Sequence, residues 1–247
     1  MFKKILATIV LGAMAAFAAD TLIAEWDFSK EDVLSSGKMP FLLRHTKGET
    51  DGGAKIENGF LICTREAKQD KPNGIGSVKP CPDFSPKGAF KFTADFKFEE
   101  GLHRQGVVGT LFDNKYVTMP TKDNQKKYHK GFQISFRVYP NDKYVPRAAF
   151  GFGDKSKEIS GKTVMLKKGE LHHLEVYFDA KGKVTFTIDG KEAGSGEVPE
   201  GPITPSTLTT TIGDRYGSSF AVFGGAISKV ALYNVEEEAA PGPEAGK

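Results

Sequence analysis

Through much of the chain the apolar residues recur at every second position, the period that sets them on one face of a pleated strand. Phe90, Phe92, Ala94, Phe96 and Phe98 alternate with Lys91, Thr93, Asp95 and Lys97. Phe132, Ile134, Phe136 and Val138 alternate in the same way with Gln133, Ser135, Arg137 and Tyr139. Each run predicts a strand with one buried and one wet face. Leu174, Val176 and Phe178 repeat the pattern, and a turn at 179–182 returns the chain through Val184, Phe186 and Ile188 to a second turn at Asp189-Gly190. Further strands are predicted at 23–28, 59–64, 107–112, 147–152, 208–212 and 227–233. No stretch carries a long 3.6-residue repeat. About ten strands joined by loops imply an all-β fold, a two-sheet antiparallel β-sandwich, and the 19 Phe residues supply the layer between its sheets.

The ends read differently. Lys3 and Lys4 precede an apolar stretch from Ile5 to Ala16 that closes in Ala16-Phe17-Ala18, the layout of a signal peptide over 1–18. The run breaks at Asp20, short of the roughly 20 apolar residues a membrane anchor needs, and no later segment is apolar enough to span. The expected location is therefore secreted or periplasmic, with one domain over 19–235. The tail 236–247, with its Glu residues and Pro241-Gly242-Pro243, lacks large apolar residues and is expected to be disordered. Formal charge is +3, part of it from Lys3 and Lys4, so no strong field exists to hold nucleic acid or an anionic membrane. Two cysteines, Cys63 and Cys81, in an exported chain predict one disulfide.

Four segments in order resemble the concanavalin A-like, laminin G-like jelly-roll family: Glu25-Trp26-Asp27-Phe28, Asn58-Gly59-Phe60-Leu61, GELHHLEVYFDAKGKVTFTIDG from Gly169 to Gly190, and TIGDRYGSSFAVFGGAISKVALY from Thr211 to Tyr233. Leu171 stands where the family usually has Trp ahead of the paired histidines. These motifs are structural, so the resemblance implies a fold shared by lectins, laminin G modules, glycoside hydrolases and polysaccharide lyases, and function has to come from a site.

The resembling hydrolases of glycoside hydrolase family 16 carry Glu-x-Asp-x-x-Glu on one strand. The nearest counterpart here, Glu175 to Asp179, has Tyr177 as its middle residue. Glu175 and Asp179 lie about 13 Å apart along a strand, beyond the roughly 5 to 9.5 Å of catalytic carboxylate pairs. Acids on different strands, such as Asp95 and Glu175, remain able to meet. His172 and His173 are adjacent, so their side chains point to opposite faces of a strand and cannot clamp one metal together. His45, His103 and His129 stand alone. Gly-x-Ser-x-Gly is absent, and Gly151-Phe152-Gly153 lacks the third glycine of a phosphate loop.

What remains is a binding surface: the wet face of Gln133, Ser135, Arg137 and Tyr139, the turn Gly213-Asp214-Arg215-Tyr216-Gly217, and Tyr128-His129 as a rim. Aromatic rings stack on sugar C–H faces, and guanidinium forks suit hydroxyls and carboxylates. The ligand-binding candidates are Tyr128, Arg137, Tyr139, Arg215 and Tyr216. The resemblance also implies Ca²⁺ on the sandwich rim, for which Asp113, Asn114, Asp154 and Asp214 are the loop-placed oxygens, with local turn bonding as the competing role for them. The sequence reads as a non-catalytic binding module with a glycan or an envelope protein as partner. A structural envelope component and a glycan-cleaving enzyme are the alternatives.

Overall fold

The computed structural model describes residues 20–35, 37–43, 54–63, 74–99, 108–118, 127–179, 181–215 and 222–236. The predicted signal peptide and all of the predicted tail except Glu236 lie outside them, as do His45, His103 and Tyr216. The strands are β1 (Thr21–Asp27), β2 (Phe41–Leu43), β3 (Lys55–Glu57), β4 (Phe60–Cys63), β5 (Ile75–Ser77) and β6 (Phe90–Phe98). Then come β7 (Val108–Asp113), β8 (Tyr116–Thr118), β9 (Tyr128–Lys130), β10 (Phe132–Tyr139), β11 (Lys143–Phe152) and β12 (Lys155–Ser160). The last are β13 (Val164–Met165), β14 (His172–Phe178), β15 (Lys183–Ile188), β16 (Lys191–Glu197), β17 (Thr211–Ile212) and β18 (Gly225–Asn234). One 3-10 turn, Pro82–Phe84, interrupts them. Among the described residues, no helix is long and apolar enough to cross a membrane.

The strands form two antiparallel sheets. The first runs β16-β15-β14-β6-β18-β4-β3, with β1 also paired to β18. The second runs β12-β11-β10-β7-β17-β5-β2, with β13 on β11, and β8 pairs β9 as a separate ribbon. The alternation seen in the sequence becomes the core. Phe90, Phe92, Phe96 and Phe98 of β6 are fully buried and meet second-sheet rings across the gap. Ring centroids lie 5.4 Å apart for Phe90 and Phe132, 5.7 Å for Phe92 and Phe112, and 5.1 Å for Phe96 and Phe136. Each such burial stabilises by about 1.5–3 kcal/mol, with about 0.5–1.5 kcal/mol more per well-placed ring pair. Trp26 closes one end of this layer edge-on to Phe41 and Phe84.

Several strands differ from the sequence expectation. The strand expected over 147–152 begins at Lys143 and contains Pro146. Proline fits there because the Pro146 carbonyl, and with it the missing N–H, faces the side where β13 stops at Tyr144 and β12 starts at Arg147. The strand expected over 208–212 shrinks to Thr211–Ile212. Unpredicted β12 and β16 are edge strands whose sequences, KSKEIS and KEAGSGE, offer no apolar alternation to read. Their edges touch. A Cβ on Gly161 would sit 2.4 Å from the Ala193 carbonyl oxygen, and one on Gly194, at φ +116°, would sit 2.8 Å from the Gly161 Cα. This glycine seam closes one side of the sandwich.

The expected Cys63–Cys81 disulfide is absent: both cysteines are buried free thiols. Cys63 ends β4 in the first sheet, with its Sγ set against the Gly213 Cα and 3.8 Å from the Leu61 carbonyl. Cys81 follows β5 of the second sheet and opens the 3-10 turn instead.

Candidate functional site

Strand register puts a polar row on the outer face of the second sheet. Gln133 of β10 stands opposite Asp113 of β7 and Ala149 of β11, and Asp113 in turn faces Thr211 of β17. One step along, Ser135 faces Thr110 and Arg147, and the next step brings Arg137 opposite Val108 and Val145. A bulge between Ile134 and Ser135 keeps Thr110 in this outward set. These groups point away from the core, yet Thr110, Asp113, Ser135 and Thr211 are each 4 % exposed or less. The face is a polar recess rather than an open wet sheet.

Its bonding is incomplete. Among the described residues, the Thr110 hydroxyl, the Gln133 amide nitrogen and Nδ1 of His129 are buried without a hydrogen-bond partner. Buried polar groups ordinarily have partners in protein or ordered water, so these atoms have bonding capacity to spare. Asp113 accepts the Lys115 N–H at 3.0 Å and lies 3.9 Å from Arg215 Nε. Arg147 is ion-paired to Glu158. Burial pushes the Lys115 ammonium pKa down, only partly countered by Asp113 and Glu158 and reinforced by Arg215. Burial also lowers His129, helped by Lys115 and Lys127.

The structure separates the sequence-predicted binding residues into two groups. Arg137 and Tyr139 form one unit at the far end of β10, with the guanidinium 5.5 Å from the Tyr139 ring centroid. Arg215 sits by Asp113, and Tyr128 stands on β9 beyond the other end of β10, with Lys130 Nζ 5.8 Å from its ring. Tyr128 and Tyr139 are thus more than about 20 Å apart at about 3.3 Å per residue and cannot share one sugar. Gly131 makes the bend between β9 and β10, at φ +65°, where a Cβ would lie 2.3 Å from the Asn114 carbonyl oxygen.

Three of the four residues proposed for calcium use oxygens locally, Asp113 among them through the Lys115 N–H. Asn114 Oδ1 accepts the Phe132 N–H at 2.8 Å, its carbonyl accepts the Ser206 hydroxyl, and its Nδ2 donates to the Phe84 carbonyl at 3.4 Å. Asp214 Oδ1 accepts the Arg215 N–H at 2.7 Å. Asp154 lies in an exposed turn. Among the described residues no three His, Cys, Asp or Glu side chains gather as a cation site.

The acids considered for hydrolysis face outwards from the first sheet. Asp179 accepts the Lys183 N–H at 2.7 Å and closes the β14–β15 turn, and Asp95 lies 2.5 Å from His173 Nδ1. Glu175 stands opposite Thr93 and Thr187, one diagonal step from Asp95. His172, on the inner side of the same strand, is bonded to Asp189 and to the Lys167 carbonyl. A separate cavity of about 220 Å³ runs along β1, lined by Trp26, Met39 and Phe84. Its ionisable lining is Glu25 and Lys38, and Glu25 is already paired with Lys30 and Lys229. It offers a polar ligand little.

Thr110, Lys115, Arg147 and Glu158 escaped the sequence reading. For Arg147 the signal was the hairpin at Pro140-Asn141-Asp142, which pairs Tyr139 with Lys143 and so carries Arg147 opposite Ser135. The Laminin_G_3 model, described as concanavalin A-like lectin/glucanases superfamily, matches residues 111–240. The chain belongs to this family. The Laminin_G_3 match takes in Asp113, Gln133, Arg147 and Arg215 and leaves β1 to β6 outside it.

Solved structures share the fold. Domain 4 of AbnA, a GH43 extracellular arabinanase from Geobacillus stearothermophilus, solved with arabinotriose, is 18 % identical at a TM-score of 0.58, covering 87 % of this chain and 93 % of that one. The Emp47p carbohydrate recognition domain is 13 % identical at 0.51, covering 91 % and 100 %. The botulinum neurotoxin serotype G binding domain is 12 % identical at 0.53, covering 88 % of this chain and 49 % of that one. No protein with a curated description matches.

Proposed function

We propose that this protein is a secreted or periplasmic, non-catalytic module that binds a glycan on the outer face of its second sheet. The observation that carries the reading is the polar recess, where the Thr110 hydroxyl and Gln133 amide are buried with no partner among the described residues. Groups of this kind cost about 1–3 kcal/mol each when left unmade, and sugar hydroxyls would satisfy them. The Arg137–Tyr139 pair at the far end supplies a ring and a fork for a second sugar unit. Family membership and the carbohydrate-binding relatives of the same fold agree with this reading. On the first sheet Asp95 is bonded to His173 and Asp179 to the Lys183 N–H, roles that hold strands and a turn together.

A glycan array on the chain from residue 19 onwards, with and without calcium, tests the proposal. Retention of at least one glycan that Gln133→Ala and Arg137→Ala each weaken by about tenfold is the expected result. No binding to any glycan, or binding untouched by both substitutions, ends it. A protein partner is the second reading, favoured by Met165, 65 % exposed at the same end of the sheet as Tyr139.

A further inference from the structure

The two ends of the recess differ in charge. At the Asp113 end stand Lys115, Lys127, Arg147 and Arg215, with Asp113, Glu158 and Asp214 as the neighbouring acids. Glu158 is taken by Arg147. Asp113 accepts the Lys115 backbone N–H with one oxygen and lies 3.9 Å from Arg215 Nε with the other. Arg215 remains 52 % exposed at its side chain. The Lys115 ammonium is half-buried and makes no ion pair among the described residues. A partly desolvated ammonium gains more from an anion than a fully wet one, because fewer water dipoles compete. Beside it the Gln133 amide nitrogen, a pure donor, is buried and unmatched.

Resting on the glycan reading above, we infer that the Lys115–Arg215 end of the recess is a subsite for a carboxylate-bearing sugar. A single planar carboxylate matches the inventory: Lys115 contributes a point charge, Arg215 a fork and Gln133 a neutral donor. The Arg137–Tyr139 end, about 13 Å further along β10, would hold a neighbouring unit of the same chain. A neutral sugar would leave the Lys115 ammonium only partly countered, by Asp113 and Glu158.

The test measures binding of the chain from residue 19 onwards by calorimetry to uronate and sialate oligosaccharides, each paired with its own methyl ester, and to a sulfated oligosaccharide. Esterification removes the charge and leaves the sugar otherwise intact. The expected result is binding of at least one acidic oligosaccharide about tenfold or more tighter than its ester, weakening as salt rises. Lys115→Gln and Arg215→Gln should each abolish that preference while the melting temperature holds. Equal binding of acid and ester, preference for the sulfated chain, or a preference that survives both substitutions overturns the inference. Tight binding of neutral glycans alone overturns it too and leaves the glycan reading standing. Failure to bind any glycan, acidic or neutral, removes both.

Discussion

His172 Nδ1 on β14 lies 2.8 Å from Oδ2 of Asp189, in the turn that joins β15 to β16. The other Asp189 oxygen accepts the His173 N–H, also at 2.8 Å. One carboxylate therefore pins two successive residues of β14 to the following hairpin, and Asp189 sits at φ +50° to do so. Burial raises the Asp189 carboxyl, but the His173 backbone N–H, the His172 ring and the charge of both histidines outweigh it and hold it below the ordinary 3.8. A depressed carboxyl contributes stability that is present above the unfolded pKa and lost as pH falls through the folded one. Asp189→Asn tolerates the same positive φ and should lower stability at neutral pH by about 1 kcal/mol, the low end for a half-exposed carboxylate. Denaturant unfolding from pH 6 down to pH 2 should show the difference from the parent protein shrinking below about pH 4. A constant difference across that range would disprove the linkage.

Thiol titration of the denatured, unreduced protein should count two free thiols. In the native state Cys63 should resist a thiol reagent at neutral pH, since burial, with Asp214 close by, pushes its pKa well above the ordinary 9.0. Finding none in the denatured chain would mean that the two cysteines pair after all.

Asn114 joins three parts of the fold: β10 through the Phe132 N–H, the 3-10 turn through the Phe84 carbonyl, and the segment before β17 through Ser206. Asn114→Ala would strand a buried N–H at Phe132 and should cost about 2–4 kcal/mol, read from chemical denaturation. A loss under about 1 kcal/mol would show that the strand ends do not depend on it.

Phe96 touches Phe98, Phe136 and Phe223 within 5.6 Å between ring centroids. Phe96→Ala should cost about 3–5 kcal/mol, by lost transfer free energy and the cavity left in a layer that both sheets hold rigid. The same substitution at exposed Tyr139 should cost under about 1 kcal/mol and act on ligand binding instead.

The fold was legible where the period-2 rule had apolar residues to count, as in β6, β10, β14 and β15. It was not legible in β12 and β16, because an edge strand needs no buried stripe, nor in β5, whose three residues carry no period. The candidate site was half legible. Gln133, Ser135, Arg137 and Tyr139 followed from alternation along one strand. Thr110, Lys115 and Arg147 join them through pairing between strands, and the bulge at Ile134/Ser135 shifts that register by a residue no local pattern announces. The disulfide failed for a related reason: an even cysteine count says nothing of which sheet each thiol joins.

The meeting of Gly161 and Gly194 bears on how the molecule behaves among its own copies. A sheet whose last strand is bare offers unpaired N–H and C=O groups to any extended chain, and that is the usual template for fibrous growth. Here the terminal strands of the two sheets press on each other so closely that a single methyl group would part them, and Lys162 donates its N–H to the Ala193 carbonyl at 2.7 Å across the join. At the opposite margin the outermost strands, β2 and β3, are three residues each. Neither side gives a partner strand much length to grip.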